Sequence, residues 1–258
     1  MFEKSMLIDT SKCMACRACQ VACKQWNQLP AEETKFEGTY ENPLELSYDT
    51  WTKVGFKEEK VNDEIKWFFS KQGCMHCGDA ACLEVCPADA IYRTDHGSVN
   101  IDLDKCINCG ECVKACLFQV IGFKNDELPF KCTFCVERVE KGIKPACASV
   151  CPSGAVLFGD RDELIYDAEA RVDELKQAGV DARVYGIDEF GGKGMGRVYV
   201  LEGSPECYGF ELNPSVAMTT KIWSKVMKPV KIMVAGLAAV GVLANRAESM
   251  ELKDKSKT

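Results

Sequence analysis

Residues 106–116 have the sequence CINCGECVKAC, in which four cysteines are separated by two, two and three residues. Residues 13–23, with the sequence CMACRACQVAC, repeat the same spacing. Three closely spaced thiolates can hold one face of an iron–sulfur cubane, while a fourth cysteine, three residues further on, points at a different cluster. The two stretches therefore predict iron–sulfur cluster loops.

Two further groups extend this pattern. Residues 74–87, with the sequence CMHCGDAACLEVCP, space their cysteines by two, four and three residues, and the group at 132–151 by two, eleven and three. The four groups use all of the 17 cysteines except Cys207, for which we expect a packing role in the interior. Together they predict ligands for four [4Fe–4S] clusters.

Other uses of these cysteines fit less well. Pairs of the form C-x2-C are too close for most disulfide geometries. Structural zinc often takes two such pairs on either side of a longer loop, a pattern that only the fourth group resembles. The net charge of −7 without a concentrated basic patch makes nucleic acid an unsuitable partner. With only His76 and His96 in the chain, haem ligation and histidine-based catalysis have little support.

An internal repeat organises the cysteine groups. Residues 8–13 resemble residues 101–106, and each stretch is expected to end a strand that enters a cluster loop. Residues 91–93 and 98–101 flank a Gly97-containing turn, which predicts a hairpin. This arrangement is the plan of a two-cluster bacterial ferredoxin, in which two cluster loops are related by a pseudo-twofold axis.

The predicted fold class is α+β, with two ferredoxin-like modules that each bind two [4Fe–4S] clusters, insertions, and a C-terminal helix. A helix is expected from about Asp162 to Ala178 and a strand over Arg197–Glu202. The predicted segments are a split module (1–30 and 128–160), an insertion (31–65), a continuous module (66–127), an α/β extension (161–215), an apolar helix (216–247) and a charged tail (248–258).

Because the fourth cysteine of a group points at the neighbouring cluster, each cluster should take three cysteines from one group and one from its partner group. The predicted ligand sets are the first set (Cys13, Cys16, Cys19, Cys151), the second set (Cys132, Cys135, Cys147, Cys23), the third set (Cys74, Cys77, Cys82, Cys116) and the fourth set (Cys106, Cys109, Cys112, Cys86).

Three lysines each precede a cluster cysteine: Lys12, Lys105 and Lys131. Positive charge there could raise a cluster's reduction potential, or these could be solvated loop lysines. His76 lies between two cysteines of the third set, and we expect it at the surface or beside the cluster rather than as a ligand.

The C-terminal stretch predicts either a membrane anchor or a helix that docks on a partner subunit. Residues 232–244 lack charge and would form a helix of about 20 Å, shorter than the bilayer's hydrocarbon core of about 30 Å. Extension to 223–246 gives about 36 Å but adds lysines, which can snorkel to the interface near a helix end. Trp223 would suit the interfacial belt, and we favour the anchor.

Beyond the cysteines, the chain resembles the iron–sulfur (beta) subunit of formate dehydrogenases, which belongs to the four-cluster subunits of molybdopterin oxidoreductases. The resemblance covers nearly the whole chain. It rests on the stretches CQVACKQWN (19–27), GTYENP (38–43), KCTFC (131–135), FGDRD (158–162), VYG (184–186), WSK (223–225) and KP (228–229). Leu117 departs from the family, since many relatives have proline there, and the apolar stretch is shorter than usual.

The resemblance implies an electron-transfer subunit without a catalytic site of its own. A large catalytic subunit with a molybdenum or tungsten bis-pterin would oxidise formate, and electrons would leave one at a time through the four clusters. The split module would face that subunit. The continuous module would deliver electrons to a haem-containing cytochrome b and a quinone, as in anaerobic respiration. Membrane association on the extracytoplasmic face is favoured, with a cytoplasmic location as the alternative.

Two alternatives remain. The chain could serve a sister oxidoreductase that acts on sulfur compounds or hydrogen, although residues 38–43 argue against it. It could also be a stand-alone soluble polyferredoxin, which would be a monomer with no use for its apolar tail.

Overall fold

The fold is seen in a computed structural model that describes residues 2–61, 63–123 and 127–223. The chain divides into two units, Met1–Val216 and Ala217–Thr258. Short helices and small sheets alternate through the first unit, so the predicted α+β class is confirmed.

Eight strands and seven helices, some of only one turn, build the described part of the first unit. The strands are β1 (Lys4–Asp9), β2 (Thr52–Val61), β3 (Glu64–Gly73), β4 (Ile91–Arg93), β5 (Val99–Ile101), β6 (Val156–Asp160), β7 (Ala182–Tyr185) and β8 (Arg197–Glu202). The helices are α1 (Ala18–Trp26), α2 (Ala81–Val85), α3 (Glu111–Ala115), α4 (Val136–Val139), α5 (Ala146–Ser149), α6 (Arg161–Gln177) and α7 (Glu189–Gly192). The predicted strand over Arg197–Glu202 is confirmed as β8.

The main sheet has the strand order β6-β1-β8-β7. Strand β1 pairs antiparallel with β6 and parallel with β8, and β7 pairs antiparallel with β8. Strand β1 thus joins the beginning of the predicted split module to its end. The same strand also joins it to β8 of the 161–215 extension, so the extension shares a sheet with the module.

The two faces of this sheet pack against different parts of the chain, because side chains alternate along a strand. Val198 and Val200 of β8 lie with Leu7 of β1 in the apolar cluster formed by helix α6. Tyr199 and Leu201 lie in the other cluster, which contains many of the cysteines. We call this second side the cysteine face of the sheet.

Helix α6 covers the opposite face and confirms the helix predicted from about Asp162 to Ala178. Its buried residues are Leu164, Ala168, Val172 and Leu175, whose spacing of four, four and three places them on one side of a helix. Acidic residues in its first turn and Lys176 in its last turn complement the helix dipole.

Two hairpins complete the first unit. Strands β2 and β3 form a hairpin with ten paired positions, from Thr52 opposite Gly73 to Val61 opposite Glu64, which crosses the predicted boundary between residues 65 and 66. Strands β4 and β5 pair antiparallel, which confirms the hairpin predicted around Gly97.

In the second unit the described residues form one short helix, α8 (Met218–Ile222). Most of the predicted apolar helix 216–247, and all of the charged tail 248–258, lie outside the described residues. Among the helices that the structure describes, none is both long and apolar enough to cross a bilayer.

The apolar cluster under α6 contains no cysteine among its residues, so its stability can be tested apart from the metal sites. Leu164→Ala should destabilise the chain by about 2–5 kcal/mol, because it leaves a cavity at a fully packed position. Tyr166→Ala on the exposed side of the same helix should change stability by less than about 0.5 kcal/mol. Thermal unfolding of the metal-loaded chain measures both. Equal midpoints would contradict this packing, and iron content should be unchanged in both variants.

Candidate iron–sulfur centres

One backbone conformation recurs in all four cysteine groups. The residue before the second cysteine has a positive φ in each: Ala15 (53°), His76 (49°), Asn108 (54°) and Phe134 (61°). This region is uncommon for residues other than glycine and costs about 1–3 kcal/mol where the surroundings impose it. The repeated turn directs neighbouring thiols to one side of the loop.

The helices that follow these loops position the third and fourth cysteines. Cys82, Cys112 and Cys147 lie in the first turns of α2, α3 and α5. Cys86 and Cys116 are the C-terminal caps of α2 and α3. One short helix therefore offers a thiol at each end, and the two thiols face different neighbours.

Helix α1 does the same for the first group. Cys19 and Cys23 lie one turn apart and are both buried. Cys19 lines the cavity of the first set, and Cys23 lines that of the second set.

Three cavities are each lined by four cysteines. Their linings include the whole first, second and fourth sets, respectively. The rest of each lining is largely apolar, with Ile8 of β1 at the first cavity and Met6 of β1 at the second. Both side chains come from the cysteine face of the main sheet.

The third set also lies together. Burial raises the pKa of the Cys77 thiol, and the charges of Cys74, Cys82 and Cys116 raise it further. The structure thus brings together the cysteines of each predicted set, three from one group and one from its partner. All 17 cysteines have free thiols.

A [4Fe–4S] core spaces its thiolates more widely than a single ion, whose Zn–S bonds of about 2.3 Å would bring four sulfurs close together. Within the described ranges, no three His, Cys, Asp or Glu side chains converge closely enough to hold one metal ion. Each cavity instead offers four thiols, three from one group and one from its partner group, and this donor set fits a cubane.

Neighbouring sets lie in a row. Helix α1 connects the first set to the second, and Cys82 of the third set lies within electrostatic reach of Cys112 in the fourth. The exposed thiols are Cys16 in the first set and Cys109 in the fourth. The two ends of the row therefore reach the surface, whereas the second set is fully buried and the third set has one buried and three partly buried cysteines.

Burial dominates the acidity of the thiols. It raises the pKa of Cys19 to about 11 and that of Cys23 to about 12. Cys132 differs: burial opposes ionisation there too, but the charges of Arg197 and Lys71 outweigh it and lower the pKa. Metal binding to Cys19 and Cys23 therefore has to displace protons.

The three lysines singled out in the sequence lie in different surroundings. Lys12 and Lys105 are exposed and form ion pairs with Asp9 and Asp102. Lys131 is buried, and its Nζ donates to main-chain carbonyl oxygens. A tuning role for these lysines stays a prediction, and burial favours Lys131 for it.

Sequence reasoning missed two more buried cations, Lys71 and Arg197. The strand position of Arg197 gave a signal: it alternates along β8 with Tyr199 and Leu201, at positions 197, 199 and 201, so its side chain lies on the same face as theirs, towards the cysteines.

His76 is fully buried, and its Nδ1 accepts a hydrogen bond from the Val99 N–H at 3.0 Å, so the predicted surface position for it was wrong. Cys207 is partly buried against the core.

The fold and these sites define an iron–sulfur protein of the dicluster class. A family model described as a 4Fe-4S dicluster domain matches residues 65–161, which include the second, third and fourth cysteine groups. The chain therefore contains [4Fe–4S] clusters of the ferredoxin type.

Curated relatives extend the match over nearly the whole chain. The nitrate-inducible formate dehydrogenase iron-sulfur subunit of Escherichia coli is 40% identical, covering 95% of this chain and 82% of the relative. The corresponding subunit of Haemophilus influenzae is 38% identical, over 94% and 80% of the two chains. Formate dehydrogenase 2 subunit beta (cytochrome c-553) of Nitratidesulfovibrio vulgaris is 32% identical, over 80% and 96%. The chain belongs to the family of formate dehydrogenase iron-sulfur subunits, the electron-transfer subunits of an oxidoreductase complex.

Proposed function

We propose that this chain is a four-site electron relay that holds one [4Fe–4S] cluster at each cysteine set. The observation that supports it is the series of four sets, in which the two exposed thiols belong to the first and the fourth set. When bound, each cluster supplies a one-electron couple. The protein supplies the thiolates, excludes water from the interior sites and fixes the order of the sets.

We further propose that the chain has no active site of its own and depends on two partners. A large molybdopterin or tungstopterin subunit would oxidise formate and contact the end near Cys16. The acceptor, a cytochrome b with its quinone or another cytochrome, would contact the end near Cys109. The matching exposure of Met14 and Ile107, each next to the first cysteine of its group, supports two docking ends.

The C-terminal stretch would attach the complex to a membrane, on the extracytoplasmic face by family analogy. The length and flanking lysines of residues 223–246 support this. The sister-oxidoreductase and polyferredoxin alternatives lack support from the relatives, which are named as formate dehydrogenase subunits.

Iron content tests both the number of clusters and the crossed ligation. The intact chain, purified without oxygen, should contain about 16 iron and 16 sulfide. Cys23→Ser should remove about four iron atoms, because it takes one thiolate from the second cluster. Combining it with Cys132→Ser should cost no more iron, since both residues belong to one set. Combining it with Cys13→Ser should cost about eight.

Cys207→Ser is the control, because Cys207 belongs to no set, and it should retain full iron. Iron near zero in the intact chain would exclude the relay. Losses that add in the Cys23/Cys132 pair would refute the shared set.

Met14 and Ile107 occupy equivalent places in the internal repeat and are 62% and 64% exposed, which makes them a matched pair. Met14→Glu should weaken copurification with the catalytic subunit, because it places a charge in the apolar contact beside Cys16. Ile107→Glu should leave that complex intact but slow electron delivery to the membrane acceptor. A pull-down assay measures the first effect, and a quinone-reduction assay measures the second. If Ile107→Glu weakened the catalytic complex and Met14→Glu slowed only quinone reduction, the assignment of the two ends to the two partners would be reversed.

Removal of residues 224–258 tests the anchor. The truncated chain should keep its iron, since every predicted ligand precedes residue 152, but it should leave the membrane fraction. Fractionation of cells that also produce the partner subunits measures this. Membrane association equal to that of the full chain would exclude the anchor.

A further inference from the structure

Three cationic side chains are buried on the cysteine face of the main sheet and around it. Lys71, Lys131 and Arg197 retain 1%, 3% and 0% of their exposed surface. Burial of an isolated charge is strongly unfavourable, so a buried cation indicates compensating groups close by.

The structure holds the Arg197 guanidinium against a cluster cysteine. Its Nη2 donates to Sγ of Cys132 at 3.5 Å. In the described part of the chain, its Nε and Nη1 have no hydrogen-bond partner. Gly73 makes room for the group, because a Cβ there would lie 2.9 Å from Nη1 of Arg197. The guanidinium therefore occupies a built position between β3, β8 and the second set.

The two lysines have only uncharged acceptors. Lys71 donates to Oγ1 of Thr52 at 3.3 Å, and Lys131 donates to the carbonyl oxygens of Val99 and Cys132. Among the ion pairs of the described residues, none involves Lys71, Lys131 or Arg197 with a carboxylate. The acidic groups on which these cations act are cysteine thiols and, for Lys71 and Arg197, also the phenol of Tyr199.

These cations are placed between successive sets. Lys71 lines the first cavity and acts electrostatically on Cys19 of the first set and Cys23 of the second. It therefore lies at the junction of those two sites.

Arg197 and Lys131 lie at the next junction. Arg197 interacts with Cys132 of the second set and Cys74 of the third. Lys131 interacts with Cys132 and with Cys82 of the third set. The second set is thus close to all three cations, and its two neighbours share them.

The fourth set differs because Lys114, a cation that acts on its Cys109, is exposed rather than buried. Within the described residues, its cavity lining includes no lysine or arginine. Burial and the neighbouring cysteines, with no cation among the causes, raise the pKa of its Cys112 to about 11.

We propose that Lys71, Lys131 and Arg197 are built-in counterions that raise the reduction potentials of the first three clusters and leave the fourth unaffected. This inference rests on the proposed four-cluster function. An oxidised cluster with four thiolates has a net charge of about −2, and one added electron makes it more negative. A fixed positive charge nearby favours that reduced state, and it acts strongly where water is excluded.

The test is a redox titration of the full chain, purified without oxygen with its partner subunits and followed by electron paramagnetic resonance. Lys71→Gln and Arg197→Gln should each lower two of the four midpoints, and the double variant should lower three. Each midpoint potential should fall by about 59 mV, which for one electron is a tenfold decrease in the ratio of reduced to oxidised cluster at a given applied potential. Lys131→Gln should lower the same two midpoints as Arg197→Gln.

Two cations that are less buried than these three serve as controls: Lys60 is exposed, and Arg183 is partly buried. Lys60 lies on the same hairpin as Lys71, and Arg183 lies on β7 beside β8. Neither Lys60→Gln nor Arg183→Gln should change a midpoint potential. Arg197→Lys separates charge from shape: it keeps the charge and should keep the midpoints close to those of the unmodified chain.

Iron and sulfide content is measured first and tests the four-cluster function by itself. Full loading with unchanged midpoints in all three glutamine variants would overturn the counterion role. If Arg197→Gln fails to load, loading restored in Arg197→Lys supports the need for charge. If Arg197→Lys fails as well, the midpoints of Lys71→Gln and Lys131→Gln decide the question.

Discussion

The structure depends on bringing thiols together in sets of four, with the second set fully buried and one exposed thiol in each of the first and fourth sets. Four loops solve this with one local device, a positive φ at Ala15, His76, Asn108 and Phe134, which turns neighbouring cysteines to the same side. Asparagine and histidine are enriched in that region, whereas alanine and phenylalanine are not. At Ala15 and Phe134 the strain is therefore imposed by the surrounding fold.

The main sheet separates two tasks by the alternation of its side chains. One face packs on α6 through aliphatic residues and stabilises the unit without cysteines. The other face supplies Met6 and Ile8 to the linings of two cysteine cavities, and Arg197 to a cysteine sulfur. A shift of one residue in the pairing of β8 would exchange these faces and turn Arg197 towards the helix. The register of β8 is thus a functional constraint as well as a structural one.

The sequence predicted the elements that depend on local pattern and missed those that depend on tertiary surroundings. The amphipathic pattern from about Asp162 to Ala178 was enough to predict α6, and the turn at Gly97 was enough to predict the hairpin. The cysteine spacing indicated which thiols belong together, and the structure places them together. The buried position of Lys71 could not be predicted, because a lysine on a strand normally faces solvent and only the packed cysteine loops make its site interior.

Helices α1, α2 and α3 have a consequence for how the relay tolerates motion. Each gives one thiol to a site and a second thiol, one turn later, to the next site. A helical turn has a rise of about 5.4 Å, so the hydrogen-bonded helix between the two thiols sets the separation of the two sites within a module. Between the second and third sets no described helix contributes a thiol to both, and main-chain hydrogen bonds from Gly196 to Met75 and His76, together with the Arg197 contact to Cys132, connect them. Thermal fluctuations of the fold would therefore change the electron-transfer distance between the second and third sets more than the distances between the two sites of one module.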